Sequence, residues 1–304
     1  MRHVLFFLVA MTGCLASASA SAVTGTLTSN YGAPLVVQTT STTLDVTSDA
    51  STDLALGYEL DAGYGYIADD ALHLFLTGNL AKWIQLEGWI PQSYPIDLFL
   101  DTRYGGQNQL LASNPTVESV IADLKKMTGL TFDAGFSADW WFTLQGSYSD
   151  SHLLKAYQAE LPDAGGGAGA YLGTTPCGGP GTLSGGTNPF GVLVTLDDHN
   201  MAGVNNGCGA ASGEGVATGM EWVIPLAAIG NPPGCIRVCA FASSTDHSML
   251  FNQVLGPLPS GTCNLGAASV VSFASIPGPQ YFTICPIAVT VRNTSWGTIK
   301  TVYR

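Results

Sequence analysis

The stretch PIDLFLDTRYGGQNQL (95–110) sets two carboxylates, Asp97 and Asp101, four residues apart in a run that otherwise reads as a β-strand. Side chains alternate along a strand, so Asp97, Phe99 and Asp101 share one face, and Ile96, Leu98 and Leu100 share the other. Two carboxylates on one face are compatible with an acid/base pair, with calcium ligands, or with a solvated face that ends in a turn. GGQN at 105–108 supplies the turn.

Other residues could also carry chemistry. The loop TLDDHNMAGVNNGCGAASGEG (195–215) is rich in oxygen ligands, with Asp197 and Asp198 as weak candidates for Ca²⁺ beside Asp97 and Asp101. Its spacing departs from the D-x-[DN]-x-[DN]-G pattern, which favours a solvated loop pinned by Cys208. Trp83, Trp89, Tyr94 and Tyr104 lie in or beside the loop-rich segment KWIQLEGWIPQSYP, and exposed aromatic faces stack on flat sugars. The same side chains could instead anchor a long loop in the core. AGGGAGAYLG (164–173) lacks the Lys and Ser/Thr of a phosphate loop and reads as a flexible hairpin or loop. G-x-S-x-G is absent, and His199 and His247 sit in polar loops, where a lone histidine is more often solvated than catalytic. The sequence points away from an enzyme and implies no cofactor beyond that weak Ca²⁺ possibility.

The elements that must position these residues are mostly strands. Of 304 residues only 11% are charged, 37 are Gly and 16 are Pro, while 46% are hydrophobic. That composition argues against disorder and leaves ample surface to bury. Strand patterns fall at 35–38, 43–46, 72–77, 96–101, 139–148, 152–161, 191–196, 215–226, 235–241 and 280–285. One run reads as a helix over 115–128, with Asn114 as N-cap, Pro115 at its first position, an apolar stripe through Val117, Val120, Ile121, Leu124 and Met127, and Gly129 closing it. The expected architecture is an all-β antiparallel sandwich, jelly-roll-like, with one capping α-helix.

Residues 1–22 combine Arg2 and His3, a short apolar core and A-x-A sites, the pattern of a secretory signal. Cys14 in MTGC is a lesser, lipoprotein-type alternative. The expected division is a signal at 1–22, one domain at 23–286, and a tail at 287–304 carrying the N-x-S site at Asn293. The protein is thus expected to be secreted or held at the cell surface, and no later segment is apolar enough to span a bilayer. Loss of Arg2 makes the balance one charge more negative than the −12 of the full chain, which disfavours nucleic acid and anionic membranes and tolerates neutral glycans.

Without Cys14 an even set of cysteines remains: Cys177, Cys208, Cys235, Cys239, Cys263 and Cys285. In an exported chain these read as three disulfides, with zinc as the alternative. Four strand residues span about 13 Å, beyond the ~7 Å limit for bridged Cα atoms, so Cys235 and Cys239 should not pair with each other. Cys177 with Cys208, both in Gly-rich loops, is the preferred pair.

ADDALHLFLTGNL (68–80), IDLFLDTRYGGQNQL and GMEWVIPLAAIGNPPGCIRVCAF (219–241) resemble exported β-sandwich proteins related to family 9 carbohydrate-binding modules and DOMON domains. Asp69, Asp70, Leu72, Asp101, Glu221, Ile224, Pro225, Leu226 and Gly230 match the group's pattern, and Ile229 replaces its usual leucine. GLTFDAGF, GGGAGAYLG, the NMAGV loop and NQVLGPLP resemble blocks of secreted bacterial members, so that the resemblance covers about residues 58–283. It implies a sandwich fold and a sugar ligand. DOMON relatives also bind haem, for which no Met or His here is well placed. The family position of Asp101 implies that its carboxylate organises the following turn. Two readings stand: a non-catalytic module whose partner is an extracellular glycan, and a structural or adhesive extracellular protein without a small ligand.

Overall fold

A computed structural model describes residues 23–43, 48–49, 54–55, 57–80, 93–119, 121–147 and 152–286. The signal region, Trp83, Trp89, Val120 and the 287–304 tail lie outside the described residues.

In chain order the strands are β1 (Val36–Val37), the small pair β2 (Ser48–Asp49) and β3 (Leu54–Ala55), the long hairpin β4 (Glu59–Ala68) and β5 (Ala71–Asn79), and β6 (Ile96–Asp101). There follow a minor hairpin, β7 (Thr116–Glu118) and β8 (Ala122–Asp123), then β9 (Trp140–Gly146), β10 (Leu153–Glu160), β11 (Gly169–Pro176), β12 (Ser184–Gly185) and β13 (Leu193–Leu196). The last are β14 (Gly219–Pro225), β15 (Ile236–Ser243), β16 (Met249–Val254), β17 (Gly266–Ala267) and β18 (Phe282–Ile284).

These strands build two main sheets. One has the order β1-β4-β5-β14-β13. The other runs β12-β11-β10-β9-β6-β15-β16-β17, with β18 also paired to β15. All strand pairs are antiparallel, as expected of the sandwich. The β4–β5 hairpin turns on Asp69 and Asp70, whose φ values of 51° and 55° fit a two-residue type I′ turn.

Alternation decides the layers. Leu72, Leu74 and Leu76 of β5 and Trp222 of β14 face Leu98 and Leu100 of β6 and Phe142 of β9 across the main core. Phe142 and Trp222 meet edge to face at 5.9 Å between ring centroids. The larger sheet also buries its other face. Phe99, Trp141, Tyr157, Cys239 and Phe241 pack there against Leu110, Phe132, Phe136 and Phe273 from the long connections. A third layer of loops thus covers the sheet.

Among the described residues that layer holds no capping α-helix. The 115–128 run is instead the β7–β8 hairpin followed by a single 3₁₀ turn, Leu124–Met127. Thr116, Val117, Val120 and Ile121 are β-branched, which weakens the helix. The would-be cap Asn114 is engaged in a reciprocal amide pair with Gln107, at 2.8 Å each way. The Ile121 carbonyl, which a helix would bond to Lys125, accepts instead from Gln145 Nε2 at 2.9 Å and faces His247 Nε2 at 3.0 Å. Leu124 and Met127 are still fully buried, so the apolar stripe marks core residues whose backbone is not helical. AGGGAGAYLG contributes its second half to β11, and β16 carries no clear alternation in sequence.

The cysteines pair differently from the expected scheme. Cys208 bonds Cys263, joining the loop after β13 to the loop before β17. Cys235 bonds Cys285 across the β15–β18 ladder, next to the Ile236–Ile284 register pair. Cys177 and Cys239 stand outside both crosslinks, so the preferred Cys177–Cys208 pair does not form. Cys239 sits opposite Phe99 in the second core, and the Cys177 thiol donates to the Leu196 carbonyl at 3.2 Å. As the strand spacing requires, Cys235 and Cys239 do not pair with each other. Two disulfides fit an oxidising, extracellular setting. No helix among the described residues is long and apolar enough to cross a membrane.

Non-reducing peptide mapping should recover Cys208 linked to Cys263 and Cys235 linked to Cys285, with Cys177 and Cys239 as thiols. Replacing Cys235 and Cys285 together by Ser should cost about 2–4 kcal/mol in denaturant unfolding, because this bridge closes a loop of 50 residues. Recovery of a Cys177–Cys208 peptide would overturn the pairing.

Candidate functional site

Asp97 and Asp101 share a face of β6, and the structure gives them separate partners. Asp97 is fully buried beneath the second core. Trp141 Nε1 donates to its Oδ1 at 2.8 Å, Ser243 Oγ donates to its Oδ2 at 2.6 Å, and His247 Nδ1 lies 3.1 Å from the same Oδ2. His247 Nε2 faces the Ile121 carbonyl at 3.0 Å. Both ring nitrogens therefore meet acceptors, an arrangement that favours the doubly protonated imidazole. Burial opposes that charge, but the Asp97 carboxylate outweighs it and holds the imidazole above its ordinary value. A serine, a histidine and an aspartate are thus together without forming a triad. The serine donates to the aspartate, and no ring nitrogen is left to take its proton. His247, whose loop setting favoured a solvated side chain, is a core ion pair with φ at 62°.

Asp101 ends β6 opposite Arg237 of β15. Its Oδ2 accepts from Arg237 Nη1 at 2.8 Å and from Ser137 N at 3.3 Å. It does not organise the TRYGG turn. That role belongs to Asp139, whose Oδ2 accepts from Thr102 N at 2.7 Å, Thr102 Oγ1 at 3.2 Å and Arg103 N at 2.9 Å. Asp163 Oδ1 holds the far side, accepting from Gly106 N at 2.6 Å. Gly105 and Gly106 have φ of 108° and 79°, and a Cβ on Gly106 would lie 2.7 Å from the Ala138 carbonyl oxygen. Arg103 crosses the Trp140 ring at 5.6 Å and bonds Glu160 Oε1 at 2.7 Å.

On this fixed turn Tyr104 projects fully exposed. It lies at a cleft of about 970 Å³ between the turn and the start of β15, lined also by Asp101, Arg103, Arg237 and Thr283. The side chains of Arg103 and Arg237 are 40% and 45% exposed, enough to leave donors facing the cleft. An aromatic face, guanidinium donors and a carboxylate acceptor converge here. No sequence signal marked Arg237, whose exposed position in CIRVCAF reads as an ordinary strand outer face.

The remaining candidates are dispersed. Tyr94 is half-buried and packs edge-on against Tyr58 and Phe251, a loop anchor rather than a shelf. Trp83 and Trp89 lie outside the described residues. Asp197 pairs with His199 Nδ1 at 2.6 Å, whereas Asp198 is buried and accepts from Leu80 N at 2.9 Å. Among the described residues no group of three or more His, Cys, Asp or Glu is placed to hold a metal ion.

No protein-family model, curated protein or solved structure matches this chain. The residues that carry the resemblance have structural roles of their own. Glu221 accepts from Thr24 N at 2.7 Å, Gly25 N at 3.1 Å and Tyr31 OH at 3.1 Å. Pro225 leads into a 3₁₀ turn that Gly230 caps at φ 81°.

Asp97→Asn should destabilise the protein by about 3–5 kcal/mol in urea unfolding, since it strands a buried imidazolium. Asp101→Asn should cost about 1 kcal/mol or less, because Arg237 stays hydrated. The raised imidazole pKa means that the ion pair contributes fully below the ordinary histidine value and is lost as pH rises through the folded one. The Asp97→Asn deficit should therefore shrink on the alkaline side. Equal costs for the two variants would contradict the assigned partners.

Proposed function

We propose that this chain is an exported, non-catalytic binding module that takes a neutral carbohydrate in the Tyr104 cleft. The observation that carries the reading is Tyr104 itself, a fully exposed aromatic on a turn locked by Asp139 and Asp163. Sugar rings present an apolar C–H face that stacks on such a ring, and vicinal hydroxyls bridge a guanidinium and a carboxylate. Arg237 and Asp101 stand side by side at 2.8 Å to offer that pair of donor and acceptor. Because the turn is already ordered, binding would lose little conformational entropy.

Charge selects within the class. Arg103 and Arg237 are outnumbered two to four by Asp101, Asp139, Glu160 and Asp163, so no cation is left in excess for an anionic ligand. That balance, on an acidic protein, supports a neutral sugar over a uronate and disfavours nucleic acid. The signal-like leader, the two disulfides and the resemblance to carbohydrate modules support a place outside the cell. The second reading is an extracellular structural or adhesive protein without a small ligand. It is favoured by Tyr94, which packs inward and leaves Tyr104 the one sequence-nominated aromatic that is exposed among the described residues.

A glycan array with the purified mature protein should give binding to neutral glycans. Tyr104→Ala and Arg237→Ala should each weaken it at least tenfold without lowering the melting temperature by more than a few degrees. No binding across the array, or binding untouched by both substitutions, would favour the structural reading.

A further inference from the structure

A second polar centre lies on the smaller sheet, far from any role in the cleft chemistry. A bulge in the β4–β5 ladder falls at Asp61, between Leu60 and Ala62. Glu59 and Asp61 are both fully buried, and one amide reaches both: Asn200 Nδ2 donates to Glu59 Oε1 at 2.8 Å and to Asp61 Oδ2 at 3.3 Å. Asn79 Nδ2, on β5, donates to Glu59 Oε1 at 3.0 Å and to the Asn200 carbonyl at 2.6 Å. Val204 N donates to Asp61 Oδ1 at 3.0 Å. Gly203, at φ 108°, passes so close that a Cβ would lie 1.9 Å from Asp61 Oδ1. The loop 198–215 is thus fastened to the sheet through these two carboxylates. A cavity of about 440 Å³ opens above the fastening, lined by His199, Asn200, Met201, Gly203 and Glu214 among others.

The fastening has a vacancy in its hydrogen bonding. Glu59 Oε1 accepts two amides, while the fully buried Glu59 Oε2 has no partner among the described residues, nor does Asn79 Oδ1. Neither Glu59 nor Asp61 is in an ion pair with a cationic side chain among the described residues. Asp198 from the loop acts on Glu59, Tyr64 of β4 interacts with Asp61, and Glu214 acts on Tyr64. The nearby His199 is taken up by Asp197 at 2.6 Å, and the rest add negative charge or none. An ionised pair here would be two buried anions met only by neutral amides, which do not compensate two charges.

We propose that Glu59 and Asp61 form a proton-operated latch: a proton on Glu59 Oε2 holds the 198–215 loop against β4, and ionisation of both carboxyls releases the loop and reshapes the cavity that it lines. Burial, reinforced by the Asp61 charge, pushes Glu59 up to about 9. Burial pushes Asp61 up to about 7, against the Val204 amide, which favours its ionised form. Both folded values lie above the ordinary carboxyl range, so the closed state binds more protons than the open one. Closure is then complete below about pH 4 and weakens as pH rises through 7 and 9, by up to about tenfold per pH unit for each group. The Cys208–Cys263 bridge keeps the released loop tethered at its middle.

Hydrogen exchange of the wild-type protein, corrected for intrinsic rates, tests the latch at the Val204 amide. Protection should fall at least tenfold between pH 7 and pH 9. In Glu59→Gln, which cannot gain the second charge, it should stay nearly flat over the same range. Protection that is independent of pH, or that falls equally in both proteins, would overturn the proposal. So would millimolar Ca²⁺ restoring wild-type protection at pH 9, since the pair would then hold a cation rather than a proton. Carboxyl-carbon NMR of the wild type keeps the test independent of the variant's folding, and a Glu59 titrating in the ordinary carboxyl range would end the proposal.

Discussion

Burial of the larger sheet on both faces is the constraint from which most of the structure follows. A strand such as β6 must then satisfy two interiors at once. Ile96, Leu98 and Leu100 meet the main core, and Phe99 meets the second. Any polar group on the second face has no water to turn to and must find its partners within the protein. Asp97 does so through Trp141, Ser243 and His247, and this ties β6, β9, β15 and the loop before β16 to one carboxylate. The buried imidazolium in turn holds the Ile121 carbonyl, which fixes the loop layer that covers the sheet.

The same covering layer explains why the cleft forms where it does. Loop side chains close the second face over Phe99, Trp141 and Phe241, and the cover ends before the terminal residues of β6 and β15. Asp101 and Arg237, paired in register, therefore lie at the open margin of a closed surface. The turn beyond Asp101 borrows its order from Asp139 and Asp163, on segments 37 and more residues away in the chain. The backbone on either side of Tyr104 is held through the amides of Thr102, Arg103 and Gly106, while its own ring faces solvent.

The smaller sheet handles its polar load differently. Its outer face carries Tyr31, Tyr64 and Phe75 near its middle, and Glu59 and Asp61 near one end. There the loop 198–215 supplies amides rather than cations. Amides can share a carboxyl oxygen but cannot cancel a charge, which places this contact, unlike the Asp97 ion pair, under the control of protonation. The two disulfides divide along similar lines. One staples β15 to β18 inside a sheet, and the other tethers the loop that the carboxyls hold.

The sequence by itself determined the class of fold, most strand positions and the inward residues, because alternation and turn chemistry are local. Leu72, Leu74 and Leu76, or Ile96, Leu98 and Leu100, can face only one way once their strands form. It also showed that Cys235 and Cys239 could not pair, since strand geometry alone sets their separation. The tertiary structure decided what local pattern cannot reach. The 115–128 run has a helical apolar stripe, yet Gln145, His247 and Gln107 take the backbone and side-chain groups that a helix or its cap would use. Cys208 met Cys263 instead of Cys177, and Asp139 rather than Asp101 ordered the turn, because partners 55 and 37 residues away are chosen by how the strands stack. A carboxylate's role here depends on what faces it. Asp97 met a histidine, Asp101 an arginine and Asp61 an amide, and only the packed chain could assign those neighbours.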